Sequence, residues 1–292
     1  MSASARTVAV MGTLVTIEVV HPSIDSDEAV DRAFGWFHEI ETRCTRFHES
    51  ELTQLTSQAG VPVEASPILY EAVCFALMVA EESGGAFDPT VGHRMEGQGF
   101  NREHRSGEIF RTAVSPENDV SYRDVLIDPG RRTILLRRPL TLDLGAVAKG
   151  LAVDTAAREL APFRDFAIDA GGDLYLGGSN EQGVPWSVGI RDPRDPQQLI
   201  DSLRISNQAV CTSGDYERRG HILDPRTKTS SHSVASATVV APVAMLADAL
   251  ATAAFVLGPD EGIRLLTRLG VDGLIVTPEL KRYETRGLCR AA

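Results

Sequence analysis

The sequence predicts an α+β protein with largely antiparallel or mixed sheets and flanking helices. Short strand-like runs separated by turn residues, such as "DVLIDPGRRTILL", predict hairpins, whose strands pair antiparallel. Helical patterns occur near both ends of the chain, with a long strand-rich stretch between them. Because strands and helices do not alternate one by one, a doubly wound parallel sheet is not expected.

In chain order, the first half predicts a strand, two helices and a hairpin. "VAVMGTLVTIEVV" predicts one strand interrupted by a glycine, and "SDEAVDRAFGWFHEIETRCTRF" predicts an amphipathic helix with acidic residues in its first turn. "SPILYEAVCFALMVAEESGG" predicts a second helix, with a capping serine before proline and two glycines at its end. Residues 93–123 are polar and aperiodic, so we expect an irregular loop there.

The second half predicts further strands with glycine-rich exits, then two helices and a strand. No internal repeat is evident, and a single domain over residues 1–292, which could divide into two subdomains, is expected. The best-known glycine-rich nucleotide cradles, G-x-G-x-x-G after a strand and G-x-x-x-x-G-K-[ST], are missing from the sequence.

Composition excludes several classes of function. The chain has 292 residues, 43% of them hydrophobic, and a formal net charge of −11, which argues against a nucleic-acid partner. No stretch approaches the roughly 18 apolar residues of a membrane helix, so membrane insertion is not expected. Four widely spaced cysteines favour reduced thiols over disulfides or a zinc site. Without a recognisable signal segment, the expected location is the cytoplasm.

The stretch "LTLDLGAVAKG", residues 140–150, carries the first candidate site. Leu140, Leu142 and Leu144 alternate with polar residues, which predicts a half-buried strand that runs into a helix. Asp143 would project from the face opposite the leucines, and Lys149 follows within the helix. A phosphate or metal site and an ordinary strand-to-helix turn fit this pattern equally well.

Three other stretches allow both a structural and a functional interpretation. "SGGAFDPTVG", residues 83–92, fits a helix end followed by an Asx-Pro turn. In "DAGGDLYLGG", Asp169 and Asp173 flank paired glycines, which mark either close backbone approach or a solvated turn. His221 in "SGDYERRGHILDP" is the best proton-transfer candidate among the histidines, although a structural histidine fits as well.

The helix "LADALATAAFVLG" gives the strongest physical signal. Asp248, Ala251 and Thr252 share one face of an otherwise apolar, alanine-rich helix that we expect to be buried. A buried carboxylate needs a partner. Carboxylate and hydroxyl oxygens, without sulfur or imidazole, favour Mg²⁺ over zinc.

Six motifs in order resemble the ApbE-type family of FAD:protein FMN transferases, from residue 10 to about residue 280. They are "MGT", "SGGAFDPTVG", "LDLGAVAKGLAVD", "DAGGDLYLGG", "SGDY" with "HILDPRT", and "ADALATAAFVLG". The resemblance implies an Mg²⁺-dependent enzyme that takes FAD as substrate and moves its FMN half to a threonine or serine hydroxyl of a target flavoprotein, with release of AMP.

The same resemblance implies the site residues. The residues expected to contact FAD are Met11, Phe47, Ala86, Phe87, Asp88, Asp143, Lys149 and Ile222. The expected Mg²⁺ ligands are the Ala146 carbonyl, Asp248, the Ala251 carbonyl and Thr252. His221 or a nearby aspartate would take the proton of the acceptor hydroxyl, and Asp248 would act in catalysis through the metal.

The sequence departs from the family pattern at several places, and two other functions stay open. Phe47 replaces an aromatic residue that is often tyrosine, Lys228 stands where glycine is usual, and the segment after Gly92 is shorter and more basic. An FAD pyrophosphatase with water as nucleophile would use the same pocket. A flavin-binding module without turnover is the second alternative.

Overall fold

The computed structural model describes residues 3–103, 106–112, 119–195, 197–214, 222–230 and 232–290. Within these ranges the helices are α1 (Ile24–Cys44), α2 (Glu51–Thr56), α3 (Pro67–Glu82), α4 (Gly92–Gly97), α5 (Gly145–Leu160), α6 (Ala244–Leu257) and α7 (Pro259–Leu269). The strands are β1 (Ser4–Val10), β2 (Thr13–Val19), β3 (Val63–Glu64), β4 (Val125–Asp128), β5 (Thr133–Leu136), β6 (Phe166–Ala170), β7 (Leu174–Gly177), β8 (Trp186–Arg191), β9 (Leu199–Ile205), β10 (Gln208–Gly214), β11 (Leu223–Asp224), β12 (Thr229–Ser230), β13 (Ser236–Ala241), β14 (Asp272–Val276) and β15 (Arg282–Glu284).

The central element is an eight-stranded sheet in the order β1-β2-β6-β7-β10-β13-β14-β15. Every pair of neighbouring strands in it is antiparallel. Small sheets are formed by β3-β5-β4, β8-β9 and β11-β12. The prediction of an α+β fold with antiparallel sheets and flanking helices is therefore confirmed.

Alternation along the central strands divides the core between the two faces of the sheet. In β10, Ala209 and Cys211 belong to the large core under the helices, whereas Val210 belongs to a small cluster on the opposite face. Leu203 and Ile205 of β9 cover that second face. This period of two is what the side-chain geometry of a strand dictates.

Helix α5 packs against both α1 and α6. It approaches α6 at Gly150, where an added Cβ would lie 2.5 Å from Met245 Cα and 2.8 Å from the Ala244 carbonyl carbon. Asp154, one helical turn further, accepts hydrogen bonds from the backbone N–H groups of Ala244 (2.6 Å) and Met245 (2.9 Å). A side chain of α5 therefore caps the start of α6, which has no cap of its own.

The helices were well predicted, because their ends carry clear capping signals. Ser66 accepts a hydrogen bond from the Leu69 N–H at the start of α3, with proline in the first turn. Ser23 forms a reciprocal capping box with Ser26 at the start of α1.

Two strand predictions were wrong. The N-terminal run is not one interrupted strand but the hairpin β1–β2, because Met11 (φ 53°) and Gly12 (φ 72°) form a two-residue turn with both φ angles positive. Residues 140–144 belong to no strand, and Leu144, which precedes α5, is not extended (φ −106°, ψ 15°). The Asp143 N–H donates to the Pro89 carbonyl (2.7 Å) and the Thr141 carbonyl accepts from the Gly92 N–H (3.2 Å), so a neighbouring loop satisfies this backbone.

The segment 93–123, expected to be an irregular loop, contains most of α4 and an isolated bridge between Arg102 and Ile109. Positions 104–105 and 113–118 lie outside the described residues. Within the described ranges, no helix combines the length and apolar composition that crossing a membrane requires.

Candidate functional site

A cluster of charged side chains lies where α5, α6 and the start of β7 meet. Lys149 of α5 and Asp173, which immediately precedes β7, form an ion pair with 2.5 Å between Nζ and Oδ2. The Asp173 side chain is 4% exposed and that of Lys149 is 27% exposed. Asp248 of α6 is buried and interacts electrostatically with both. Two carboxyl groups therefore interact with one ammonium group, and one of them, Asp173, contacts it directly.

The charges in this cluster shift one another's protonation. Burial raises the pKa of the Asp248 carboxyl well above its usual value, and the Asp173 charge adds to this, while Lys149 and the Gly150 N–H oppose it. Burial alone would lower the pKa of Lys149, but the carboxylates of Asp173 and Asp248 raise it above its usual value. The cluster thus favours a charged lysine and makes ionisation of the Asp248 carboxyl group more costly.

Asp248 carries the clearest mark of an incomplete site. Its Oδ2 is buried and has no hydrogen-bond partner among the described residues. A buried polar atom without a partner costs free energy on the order of 1–3 kcal/mol, and more when it is charged. Such an atom on an internal carboxylate is suited to a cation or to a bound donor.

The side of the cluster formed by β10 adds a thiol and hydroxyl groups. Cys211 is buried, and burial followed by the charges of Asp173 and Asp248 raises the pKa of its thiol well above the usual value. Ser213 Oγ lies 3.1 Å from Thr252 Oγ1, so the predicted metal ligand Thr252 shares a hydrogen bond with the sheet. A protonated, buried thiol is unreactive as a nucleophile.

The predicted metal ligands fit a hard cation by their chemistry. Asp248, Ala251 and Thr252 lie on α6, while Ala146 lies in the first turn of α5 and departs there from helical geometry (φ −89°, ψ 16°). All four would coordinate a cation through oxygen, and Asp248 has the buried oxygen that lacks a hydrogen-bond partner among the described residues. No three His, Cys, Asp or Glu side chains of the described residues form a metal-binding group. A cation here would therefore depend on carbonyl and hydroxyl oxygens beside the Asp248 carboxylate.

A second polar group surrounds Asp143 at the start of α5. Its Oδ1 accepts from the Gly145 N–H at 2.8 Å, and its Oδ2 lies 2.7 Å from Nε of the buried Arg46. The Arg46 guanidinium lies over the Phe47 ring, 4.4 Å from the ring centre. Asp143 and Phe47, which were predicted separately to contact FAD, are therefore joined by Arg46.

Arg46 was not among the predicted site residues. Its side chain is 4% exposed, and its Nη1 is buried without a hydrogen-bond partner in the described part of the chain. The available signal was a cation beside an aromatic residue in "TRFHESE", which is too common to identify a site.

Asp173 was singled out in the sequence but could equally have been a solvated turn residue. Asp169 is exposed and accepts from the Gly172 N–H at 2.8 Å, as a turn residue does.

Two of the residues predicted to contact FAD, Phe47 and Asp88, line two different cavities. Phe47 lines a cavity of about 330 Å³, together with Glu41, Glu103 and Phe110. Met11 packs against the core, and its N–H donates to Glu41 Oε1 (2.9 Å).

Asp88 lines a second cavity of about 160 Å³, which Arg94 and Arg226 also border. Its carboxylate already accepts from the Thr90 N–H and hydroxyl and from the Tyr122 N–H. Ala86, Phe87 and Ile222 are buried. The assignment of these residues to FAD stays a prediction.

His221, the predicted proton acceptor, lies outside the described residues, as do positions 215–220 before it. Its role therefore stays a prediction as well.

Fold and site together define an α+β protein with an antiparallel sheet and a cluster of two buried carboxyl groups and one ammonium group where two helices meet the sheet. The family model described as "ApbE family" matches residues 11–275, and this chain belongs to that family.

Individual relatives support the assignment over nearly the whole chain. The FAD:protein FMN transferase of Treponema pallidum (strain Nichols) is 32% identical, over 97% of this chain and 87% of the relative. A crystal structure of the ApbE protein from Thermotoga maritima superposes with a TM-score of 0.85 at 29% identity, covering 98% of this chain and 97% of that one. The flavin transferase ApbE from Vibrio cholerae gives a TM-score of 0.83 at 25% identity, covering 98% of this chain and 97% of its own.

Proposed function

We propose that this chain is an Mg²⁺-dependent transferase that moves FMN from FAD to a threonine or serine hydroxyl of a target flavoprotein and releases AMP. The proposal is carried by one observation: Asp248, the carboxylate that the family resemblance assigns to the metal, is buried near Lys149, and its Oδ2 has no hydrogen-bond partner in the described part of the chain. The names of the relatives, FAD:protein FMN transferase and flavin transferase, supply the reaction type.

The reaction exchanges one bond to phosphorus for another. The acceptor oxygen forms a bond to the phosphorus on the riboflavin side of FAD, and the bond from that phosphorus to the oxygen bridging to AMP breaks. The hydroxyl proton passes to a base, for which His221 is our candidate, and AMP leaves with the bridging oxygen. When bound, Mg²⁺ would neutralise charge on the diphosphate and stabilise the departing phosphate.

The residues of this chain have distinct tasks in such a reaction. Asp248 and Thr252, with the carbonyls of Ala146 and Ala251, would hold the metal. Lys149 supplies a fixed positive charge beside it, since its pKa is raised and it stays protonated at neutral pH. A preorganised cation close to a diphosphate stabilises the transition state without reorganisation during the reaction.

The start of α5 would orient the flavin half of FAD. Contacts from the Gly145 N–H and from Arg46 hold the Asp143 carboxylate, so its position is fixed before ligand binds. The Phe47 ring beside it borders the larger cavity and offers an apolar face for a planar ring system.

The test is covalent labelling of a protein acceptor. The chain is incubated with FAD, Mg²⁺ and a flavoprotein that carries an exposed threonine in its flavin segment. We expect a flavin-fluorescent band on a denaturing gel, lost in the acceptor's Thr→Val variant and lost with EDTA. Free FMN and AMP without a labelled band would support a pyrophosphatase, and intact FAD would support a binding module.

The cytoplasmic location predicted from the sequence stays a prediction. Fractionation of cells, followed by detection of the chain with an antibody, tests it directly.

A further inference from the structure

The ammonium of Lys149 has two carboxylates near it but contacts only one of them directly. Asp173 Oδ2 lies 2.5 Å from Lys149 Nζ. Asp248 interacts electrostatically with the same lysine, yet its Oδ2 is without a hydrogen-bond partner among the described residues. The lysine is thus held on the Asp173 side of the cluster, and an oxygen of Asp248 is left uncovered.

Charge attraction alone does not account for an arrangement in which Lys149 contacts Asp173 and leaves an oxygen of Asp248 uncovered. An ammonium between two carboxylates gains attraction from both, and a buried anion without a partner is costly. With only Asp248 available, the flexible lysine side chain would turn to it and cover its oxygen. Asp173 prevents this because it forms a competing ion pair with the Lys149 ammonium.

The position of Asp173 is fixed by a tight turn between two strands. Its carbonyl accepts from the Ala170 N–H at 2.9 Å, and the paired glycines 171 and 172 adopt positive φ angles (66° and 95°) within the turn. The turn places Asp173 immediately before β7, where it is buried, whereas Asp169, at the other end of the same motif, is exposed and only supports the turn. The two carboxylates of "DAGGD" therefore have separate roles.

We propose that Asp173 is a positioning residue: it holds Lys149 away from Asp248 and so keeps an Asp248 oxygen available for a divalent cation. This inference rests on the metal site of the proposed function. With both carboxyl groups ionised, the cluster of two carboxylates and one ammonium has a formal excess of one negative charge. A divalent cation would reverse that sign and prepare the cluster for a diphosphate.

The test measures metal binding without FAD or an acceptor, so it does not depend on transferase activity. Mn²⁺, which replaces Mg²⁺ and is detected by its electron paramagnetic resonance signal, is titrated into the purified full chain. We expect the Kd for Mn²⁺ to rise about tenfold or more in Asp173→Asn, because Lys149 then covers Asp248. Asp169→Asn, the matched control from the same turn, should bind Mn²⁺ as the wild type does.

A double-mutant cycle separates positioning from a general loss of negative charge. In Lys149→Met the competing ammonium is gone, so Mn²⁺ should bind as tightly as in the wild type or more tightly. Adding Asp173→Asn to that variant should change the Kd by less than about threefold. An equal weakening by Asp173→Asn in both backgrounds would overturn the proposal, since charge alone would then explain it.

Two further outcomes also decide the matter. If the wild type binds no Mn²⁺, Asp248 is not kept available for a cation and the inference fails, whereas the transferase proposal is judged separately by acceptor labelling. If Asp173→Asn does not fold, as judged by circular dichroism, the Lys149→Met variant decides alone. Weaker Mn²⁺ binding in that variant would show that the lysine supports the site instead of competing for it.

Discussion

The close contact between α5 and α6 makes Gly150 a sensitive position, and we predict that Gly150→Ala destabilises the protein. An added Cβ would lie 2.5 Å from Met245 Cα and 2.6 Å from Met245 N. Both are backbone atoms of α6, so no side-chain rotation can relieve the contact, and the helices must separate. Overpacking of this kind costs about 1–3 kcal/mol.

Alanine is intrinsically better than glycine in a helix by about 1 kcal/mol, which offsets part of that cost. Gly35 provides a matched control, because it lies in α1 and an added Cβ there would meet no atom within 4 Å. We therefore expect Gly35→Ala to stabilise the protein by about 0.5–1 kcal/mol and Gly150→Ala to destabilise it by up to about 2 kcal/mol.

The measurement is the free energy of unfolding of the three proteins from urea titrations followed by circular dichroism. The gain from helix propensity is common to both variants, so their difference should equal the overpacking cost of about 1–3 kcal/mol. If Gly150→Ala is as stable as Gly35→Ala, then α5 and α6 are not in direct backbone contact. The placement of Lys149 next to Asp248 would then lose its structural basis.

Three further predictions concern Asp154, Arg46 and Asp248. Burial raises the pKa of Asp154 to about 6, so the folded chain holds this proton more tightly than the unfolded chain does. The contribution of Asp154 to stability is therefore fully present below pH ~4 and falls by up to about 3 kcal/mol as the pH rises through ~6. In Asp154→Asn, the plot of unfolding free energy against pH should be flatter in this range. An unchanged pH profile in the variant would contradict the shifted pKa. Arg46→Met removes the ion pair between Arg46 and the Asp143 carboxylate. We expect the free energy of unfolding, measured in urea, to fall by about 2–4 kcal/mol and the KM for FAD to rise, and we expect smaller changes of both quantities in Arg46→Lys. An unchanged KM in Arg46→Met would separate Arg46 from the FAD site. Asp248→Asn should keep the fold but reduce Mg²⁺-dependent turnover by at least about 100-fold, and undiminished turnover at limiting Mg²⁺ would exclude Asp248 as a ligand.

The sequence predicted the helices better than the strands, for physical reasons. Capping residues such as Ser66 mark helix ends locally, because the cap bonds to a backbone group three residues away. The alternating leucines of residues 140–144 do not identify a strand in the same way. Leu140, Leu142 and Leu144 are all buried, as the pattern required, but burial does not specify a strand partner, and this segment bonds to a loop instead.

The burial of one candidate site residue could be predicted because that residue is chemically anomalous. Asp248 on an apolar, alanine-rich helix signalled a buried carboxylate in need of a partner, and the structure shows it buried, with an oxygen that has no hydrogen-bond partner among the described residues. Arg46 and Asp173 could not be identified in this way, because their importance comes from partners distant in sequence. Arg46 pairs with Asp143 and Asp173 with Lys149, and neither pairing leaves a spacing pattern in the chain.

The ratio of AMP released to FMN covalently bound, measured in one reaction of the chain with FAD, Mg²⁺ and an acceptor flavoprotein, tests the central claim most directly. AMP is quantified by chromatography, and attached FMN by the mass of the intact acceptor. A transferase gives one AMP for each FMN attached, with loss of both products in Asp248→Asn. AMP accumulating with free FMN while the acceptor keeps its original mass would contradict the proposed function.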